Sequence, residues 1–116
     1  MISMTSFPIE LYRLEHYACG SGNEVNRILC FSSGNLVGFL GFWQKDKIPV
    51  STFVKDQFYL NYGVDRYQEI IDTLRYEQPV YYYYVLDAPS NLIIYGYIGT
   101  ANEPTGEQER MGVPPT

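Results

Sequence analysis

Apolar and polar residues alternate along several short stretches of the chain, and a period of two is typical of β-strands with one buried face. The clearest case is residues 51–63, where Phe58, Leu60 and Tyr62 alternate with polar neighbours, and we predict one or two short strands there. Residues 10–18 fit neither the strand period nor the helix period cleanly, and we favour an edge strand over a short helix.

Two apolar runs rich in β-forming residues flank Gly34 and Asn35 within residues 27–43, which predicts a β-hairpin. Glycine at the first position of a two-residue turn favours type II′. In that register Ser33 faces Leu36, and both faces of the hairpin are apolar, so we expect it to be central in the sheet or covered on both sides. One predicted face consists of Ile28, Cys30, Val37, Phe39 and Trp43.

A single helix is predicted over residues 65–77. Asp65 can serve as its N-cap, Gln68 follows in the capping-box position, and Pro79 prevents continuation. An amphipathic helix of this kind most simply covers one face of a sheet. Helical spacing places four apolar side chains in one stripe: Tyr67, Ile70, Ile71 and Leu74.

The last two predicted strands, 80–86 and 92–98, form a hairpin whose loop is residues 87–91, so that Leu86 faces Leu92. Side chains alternate between the faces, which divides the four consecutive tyrosines into two pairs. The more aliphatic face, with Tyr82 and Tyr84, is expected to contact the helix. Burying four tyrosine hydroxyls without partners would cost about 1–3 kcal/mol each, so we expect the other face to be hydrated or to meet a partner.

The order of elements predicts the fold class α+β, with a mainly antiparallel sheet of about five or six strands and the single helix on one face. The sheet could be strongly curved or barrel-like. We assign residues 1–99 to one domain, since a chain of 116 residues has the length of a single domain. Residues 100–116 are rich in proline, glycine and glutamate, lack periodicity, and are expected to form a flexible tail.

Composition narrows the class of partner. The net charge of −5 argues against binding to phosphate backbones or anionic membranes, and the tyrosine-rich strands lack the lysine or arginine that accompanies base stacking. No apolar run reaches the roughly 18–20 residues that span a bilayer, and no signal-peptide pattern is present. We therefore expect a cytoplasmic protein with two free thiols, the alternative being a single disulfide in an exported protein.

Residues with catalytic or metal-binding chemistry are sparse. His16 is the only histidine, which removes multi-histidine metal sites. Cys19 or Cys30 beside His16 would form a nucleophile pair, but no recognised motif surrounds them and cysteine is commonly buried, so a structural role is favoured. We assign no catalytic residue, no metal site and no cofactor. The sequence does not decide whether the protein is an enzyme, and we favour a protein without catalytic activity.

Two functions remain. The first is a small non-enzymatic protein-interaction domain, of the adaptor, inhibitor or immunity type, that uses the tyrosine-rich face for self-association or for a protein partner. The alternative is a small-molecule-binding domain or modest enzyme with an aromatic pocket between sheet and helix, although the pocket residues can equally belong to the core, which we favour. The interface candidates are Tyr81, Tyr83, Tyr95 and Tyr97, and the pocket candidates are Trp43, Tyr59 and Tyr62.

Overall fold

The computed structural model describes residues 2–18, 23–87 and 90–100, so the predicted tail lies outside the described residues except for Thr100. The described part forms one eight-stranded sheet with one α-helix and two short 3-10 helices. No helix within it is long and apolar enough to cross a membrane. The elements are β1 (Ile2–Ile9), β2 (Leu11–His16), β3 (Glu24–Ser32), β4 (Asn35–Trp43), a 3-10 helix (Lys45–Lys47), β5 (Thr52–Val54), β6 (Gln57–Gly63), a 3-10 helix (Val64–Arg66), α1 (Tyr67–Tyr76), β7 (Val80–Asp87) and β8 (Leu92–Thr100).

The predicted α+β class, the single helix and the curvature are confirmed for this part of the chain, since the sheet is nearly barrel-shaped. The predicted number and direction of the strands are wrong. The described residues hold eight strands, and β4 and β6 run parallel. The parallel pair arises because the chain leaves β4 through a 3-10 helix and β5 before β6 returns beside β4, whereas turn signals indicate only antiparallel neighbours. Residues 10–18 contain β2, as favoured.

The N-terminal segment closes the curved sheet. The strand order is β1-β7-β8-β5-β6-β4-β3-β2, so the consecutive strands β1 and β2 lie at opposite edges. The chain bends between them at Glu10, whose amide donates to the Phe31 carbonyl at 2.9 Å and whose carboxylate accepts a hydrogen bond from the Ser33 amide. One bent segment therefore pairs with β7 through its first half and with β3 through its second half.

The helix α1 covers the inner face of the sheet, as its apolar stripe predicts. The Tyr67 ring meets the Phe42 ring edge-on at a centroid distance of 4.9 Å. Three helical side chains are buried: Ile70, Ile71 and Leu74. They pack in one core with residues from five strands: Ile28, Cys30, Leu40, Phe42, Phe58, Leu60, Val80, Tyr82, Tyr84 and Ile93.

The start of the helix differs from the prediction. Residues 64–66 form a 3-10 turn, so α1 begins at Tyr67 and ends at Tyr76. No side chain caps its first turn, and the predicted role of Asp65 as a cap is wrong. Gln68 does not complete a capping box but donates to Asp72 one turn later, at 2.9 Å. The 3-10 turn leads directly into the helix, and the Tyr67 amide donates to the Val64 carbonyl.

The turn between β3 and β4 is Ser33–Gly34 rather than Gly34–Asn35. Its residues have φ angles of 53° and 80°, and Ser32 pairs with Asn35. Positive φ at both central residues is the geometry of type I′, so the predicted type II′ turn is wrong. Next to the turn each β3 residue therefore pairs two positions away from its predicted partner, and a β-bulge between Cys30 and Phe31 reduces the displacement to one residue along the rest of the hairpin.

A slip of one residue moves every side chain of a strand to the other face. The predicted grouping is accordingly wrong for Phe39 and Trp43, whereas Val37 packs against the core with Ile28 and Cys30, as predicted. The inner face of the hairpin holds Ile28, Cys30, Leu40 and Phe42, whereas Phe39 and Trp43 lie on the outer face.

The hairpin of β7 and β8 is displaced from its predicted register by two residues through most of its length. Tyr83 pairs with Tyr97, and Asp87 rather than Leu86 pairs with Leu92. A β-bulge near the loop absorbs the difference. Because side chains repeat every two residues, a displacement by two leaves the six tyrosines of these strands on their predicted faces. Strict alternation would also place Ile94 on the core face, and this is wrong: beyond the bulge Ile93 is buried and Ile94 is exposed.

Candidate functional site

Alternation along β7 separates its four tyrosines into an inner pair and an outer pair. Tyr82 and Tyr84 are 4% and 5% exposed and belong to the core. The centroid of the Phe58 ring lies 4.5 Å from that of Tyr82. The inner tyrosines therefore belong to the core, whereas Tyr81 and Tyr83 lie outside it.

The outer tyrosines of β7 and β8 form one cluster, which we call the tyrosine surface: Tyr81, Tyr83, Tyr95 and Tyr97. The rings of Tyr83 and Tyr97 are stacked, with centroids 4.9 Å apart and planes inclined by 20°. Tyr95 meets both rings edge-on, at 6.4 Å from Tyr83 and 5.9 Å from Tyr97. Tyr95 and Tyr97 are 61% and 44% exposed, whereas the two β7 residues are half-buried.

Exposed aliphatic side chains extend the tyrosine surface along β8. The bulge turns Ile93 inward and leaves Ile94 outside, where Ile94 is 56% exposed. Leu92, next to the loop, is also exposed. The two strands contain a single charged residue, Asp87, and no lysine or arginine. This outer side of the sheet is therefore aromatic, aliphatic and nearly free of charge.

A shallow groove of about 230 Å³ runs beside the tyrosine surface, and we call it the tyrosine groove. A Cβ at Gly99 would lie 3.1 Å from the Tyr97 ring, so the ring closely covers the glycine backbone at the floor. One wall comes from β1, which the sequence pattern did not predict. The groove is lined by Ser6, Tyr81, Tyr83, Tyr97, Gly99 and Thr100.

A larger cleft of about 740 Å³, the bend cleft, lies where the chain bends between β1 and β2 and where α1 leads into β7. Arg75 forms hydrogen bonds with Tyr12 and Tyr76. The bond to Tyr12 contributes most, and the bond to Tyr76 contributes next, to raising the pKa of this arginine above its usual value. No pattern in the sequence brings these residues together, because the cleft joins segments that are distant along the chain. The residues that line it include Pro8, Glu10, Tyr12, Arg75, Glu77 and Pro79.

The three residues proposed for a pocket between sheet and helix do not lie together. Tyr62 packs against the core, where burial raises its pKa to about 12. Tyr59, three residues earlier in β6, points to the outer face and stacks on Phe39 at a centroid distance of 4.9 Å. Trp43 is also on the outer face, where its indole N–H donates to Asn61 Oδ1 at 2.9 Å.

The single histidine takes part in a polar network. His16 Nδ1 lies 2.8 Å from Asn26 Oδ1, and its Nε2 lies 3.1 Å from the Tyr67 hydroxyl. Cys30 lies four residues beyond Asn26 in β3, and burial raises the pKa of its thiol, which disfavours the nucleophilic thiolate. Cys19 lies outside the described residues. Among the described residues, no group of three or more histidine, cysteine and acidic side chains is arranged to hold a metal ion.

Comparison with known proteins adds no relative: no family model, no curated protein and no solved structure matches the chain. The function is therefore inferred from the residues and their arrangement. On that basis the tyrosine surface is the strongest candidate site, because it gathers exposed aromatic rings that the core does not use.

Proposed function

We propose that this protein is a small, non-enzymatic protein-binding domain whose partner, a second copy or another protein, contacts the tyrosine surface. The observation that carries the proposal is the exposure of Tyr95 and Tyr97 within a cluster of touching rings. The fold does not need these rings in its core, yet they are held in a fixed arrangement on two paired strands.

The chemistry of the tyrosine surface supports a protein partner. Protein interfaces are enriched in tyrosine and depleted in charge at their centres, because a tyrosine ring adds a large contact area with few rotatable bonds and its hydroxyl can still form a hydrogen bond. The strands β7 and β8 match this composition, with Asp87 at their end as the single charge. Exposed aliphatic residues such as Ile94 enlarge the area available for burial.

The proposal predicts that the Tyr95→Ser, Tyr97→Ser double variant folds but binds its partner at least about tenfold more weakly, since central aromatic residues often contribute more than 1 kcal/mol each. Light scattering at increasing protein concentration measures self-association. Quantitative affinity capture from cell extract, comparing wild type with the variant, measures binding of another protein.

The matched control is Tyr17→Ser, which removes an exposed tyrosine that follows β2 and hydrogen-bonds Glu15. This variant should associate like the wild type. If the double variant and the wild type show the same mass at every concentration and capture the same proteins in equal amounts, the tyrosine surface is not the interface.

A further inference from the structure

The tyrosine groove and the bend cleft are neighbours. Pro8 of β1 pairs with Tyr81 of β7; Pro8 lines the bend cleft and Tyr81 lines the groove. The two concavities therefore meet at this residue pair. A single extended ligand that crosses the pair would contact both.

The tyrosine groove has the chemistry that recognises proline. A polyproline II helix has no internal hydrogen bonds, so its carbonyl oxygens are free to accept, and its pyrrolidine rings present flat apolar faces. Aromatic-lined grooves bind such segments with little loss of entropy, because the ligand is already extended. The stacked rings of Tyr83 and Tyr97 offer the apolar contact, and tyrosine hydroxyls can donate to carbonyl oxygens. At the floor the Tyr97 ring lies directly over the backbone of Gly99.

The lining of the bend cleft has an excess of one negative charge. It contains two carboxylates, Glu10 and Glu77, and one cation, Arg75, which already hydrogen-bonds Tyr12 and Tyr76. Among the described residues the ion pairs are Arg27–Glu24 and Arg66–Glu69, so neither cleft carboxylate belongs to one. The Glu10 carboxylate accepts a hydrogen bond from the Ser33 amide, and a carboxylate has further lone pairs that can accept from another donor.

We propose that the partner presents a proline-rich segment with a flanking arginine or lysine, the prolines lying on Tyr81, Tyr83 and Tyr97 and the basic residue beside Glu10 and Glu77. This inference rests on the proposed function, because it specifies the chemistry of the partner that the tyrosine surface would bind. An aromatic groove beside an excess of one negative charge favours such a segment over an acidic or glycine-rich one.

The test uses the full-length protein and labelled synthetic peptides, with fluorescence anisotropy as the readout. The peptides are a short polyproline with arginine at either end, the same sequence with glutamate in place of arginine, and a glycine–serine peptide of equal length. We expect an arginine-flanked polyproline to bind at least about tenfold more tightly than its glutamate counterpart, a difference of about 1.4 kcal/mol, and the glycine–serine peptide not to bind.

Single substitutions separate the two parts of the site. Tyr97→Ser should weaken polyproline binding at least about tenfold. Glu77→Gln should leave polyproline binding in place but remove the preference for arginine over glutamate, while Tyr17→Ser should change neither. If Tyr97→Ser fails to fold, amide chemical shifts of the wild type replace it, and the arginine peptide should then move the signals of Tyr81, Tyr83 and Gly99.

Three results would overturn the inference: the glycine–serine peptide binds as tightly as the arginine-flanked polyproline, the glutamate peptide binds more tightly than the arginine peptide, or no proline peptide binds. The proposed function fails separately. If the proline peptides do not bind but the Tyr95→Ser, Tyr97→Ser variant still loses self-association or a captured protein, the tyrosine surface is an interface for another kind of partner.

Discussion

At the scale of single residues, the tightest constraint in the sheet is Gly38 of β4. It pairs with Phe58 of β6 across the parallel ladder, and a Cβ at this position would lie 2.3 Å from the Phe58 ring. Because Phe58 is fully buried, the ring has no free space into which it can move. The absence of a side chain at Gly38 therefore allows the ring to pack against the backbone.

We expect Gly38→Ala to lower the free energy of unfolding by about 1–3 kcal/mol, the usual cost of adding atoms to a packed core. The matched control is Gly34→Ala. A Cβ at this position has no neighbour within 4 Å, so the variant should lose only the free energy needed to hold alanine at a φ of 80°, about 1 kcal/mol. Urea denaturation of both variants gives the comparison. Equal losses would show that the Phe58 ring can move.

Single residues also show which features the sequence can predict. The division of Tyr82 and Tyr84 from Tyr81 and Tyr83 follows from the alternation of one strand, and the structure places these residues accordingly. The role of Gly38 does not follow, since a glycine within a strand is compatible with a bulge, with curvature or with a close approach. Its neighbour Phe58 lies on a strand reached through a crossover, and only the tertiary fold identifies it.

At the scale of elements, the two hairpins show why the size of a register error matters. In β3–β4 the dipeptides Ser33-Gly34 and Gly34-Asn35 both suit a two-residue turn. The choice between them moves each pairing partner by two residues, and the bulge next to Cys30 reduces this to a displacement of one residue along most of the hairpin. The hydrogen bond from the Ser33 amide to Glu10 favours the first turn, and it comes from a distant segment. In β7–β8 the displacement is two residues through most of the hairpin, so the outer tyrosines lie on the face that alternation predicts although their cross-strand partners differ.

The turn assignment predicts a stabilising substitution. Ser33 has a φ of 53°, and asparagine before glycine is the preferred pair for a type I′ turn. Ser33→Asn should therefore raise the free energy of unfolding by about 0.5 kcal/mol or more, while its amide still bonds Glu10. Ser32→Asn, which places the same residue in the strand, should not stabilise. A Ser33→Asn variant less stable than the wild type by urea denaturation would contradict the type I′ assignment.

At the scale of the whole molecule, the bent N-terminal segment joins the two edges of the sheet. β1 was missed by the sequence pattern because its partner, β7, lies far along the chain, and no short-range signal connects them. Its pairing partners include Val80, Tyr82 and Tyr84, all of them buried. The strand that carries half of the tyrosine surface is thus held between β1 and β8.

Deletion of residues 1–9 should open the sheet beside β7 and abolish cooperative unfolding, because buried side chains such as Tyr82 lose their neighbouring strand and an edge of backbone donors and acceptors is exposed. Phe7→Ser is the control: Phe7 is 53% exposed and its ring contacts that of Tyr82, so this variant should lose about 1–1.5 kcal/mol and keep the strand. Calorimetry measures the unfolding transition, and amide exchange along β7 reports the protection of this strand.

A peptide of residues 1–9 added to the shortened chain should restore that protection if the pairing of β1 with β7 is what stabilises the strand. A shortened chain that unfolds at the wild-type temperature would show instead that β7 and the tyrosine surface are maintained by β8 and the core alone.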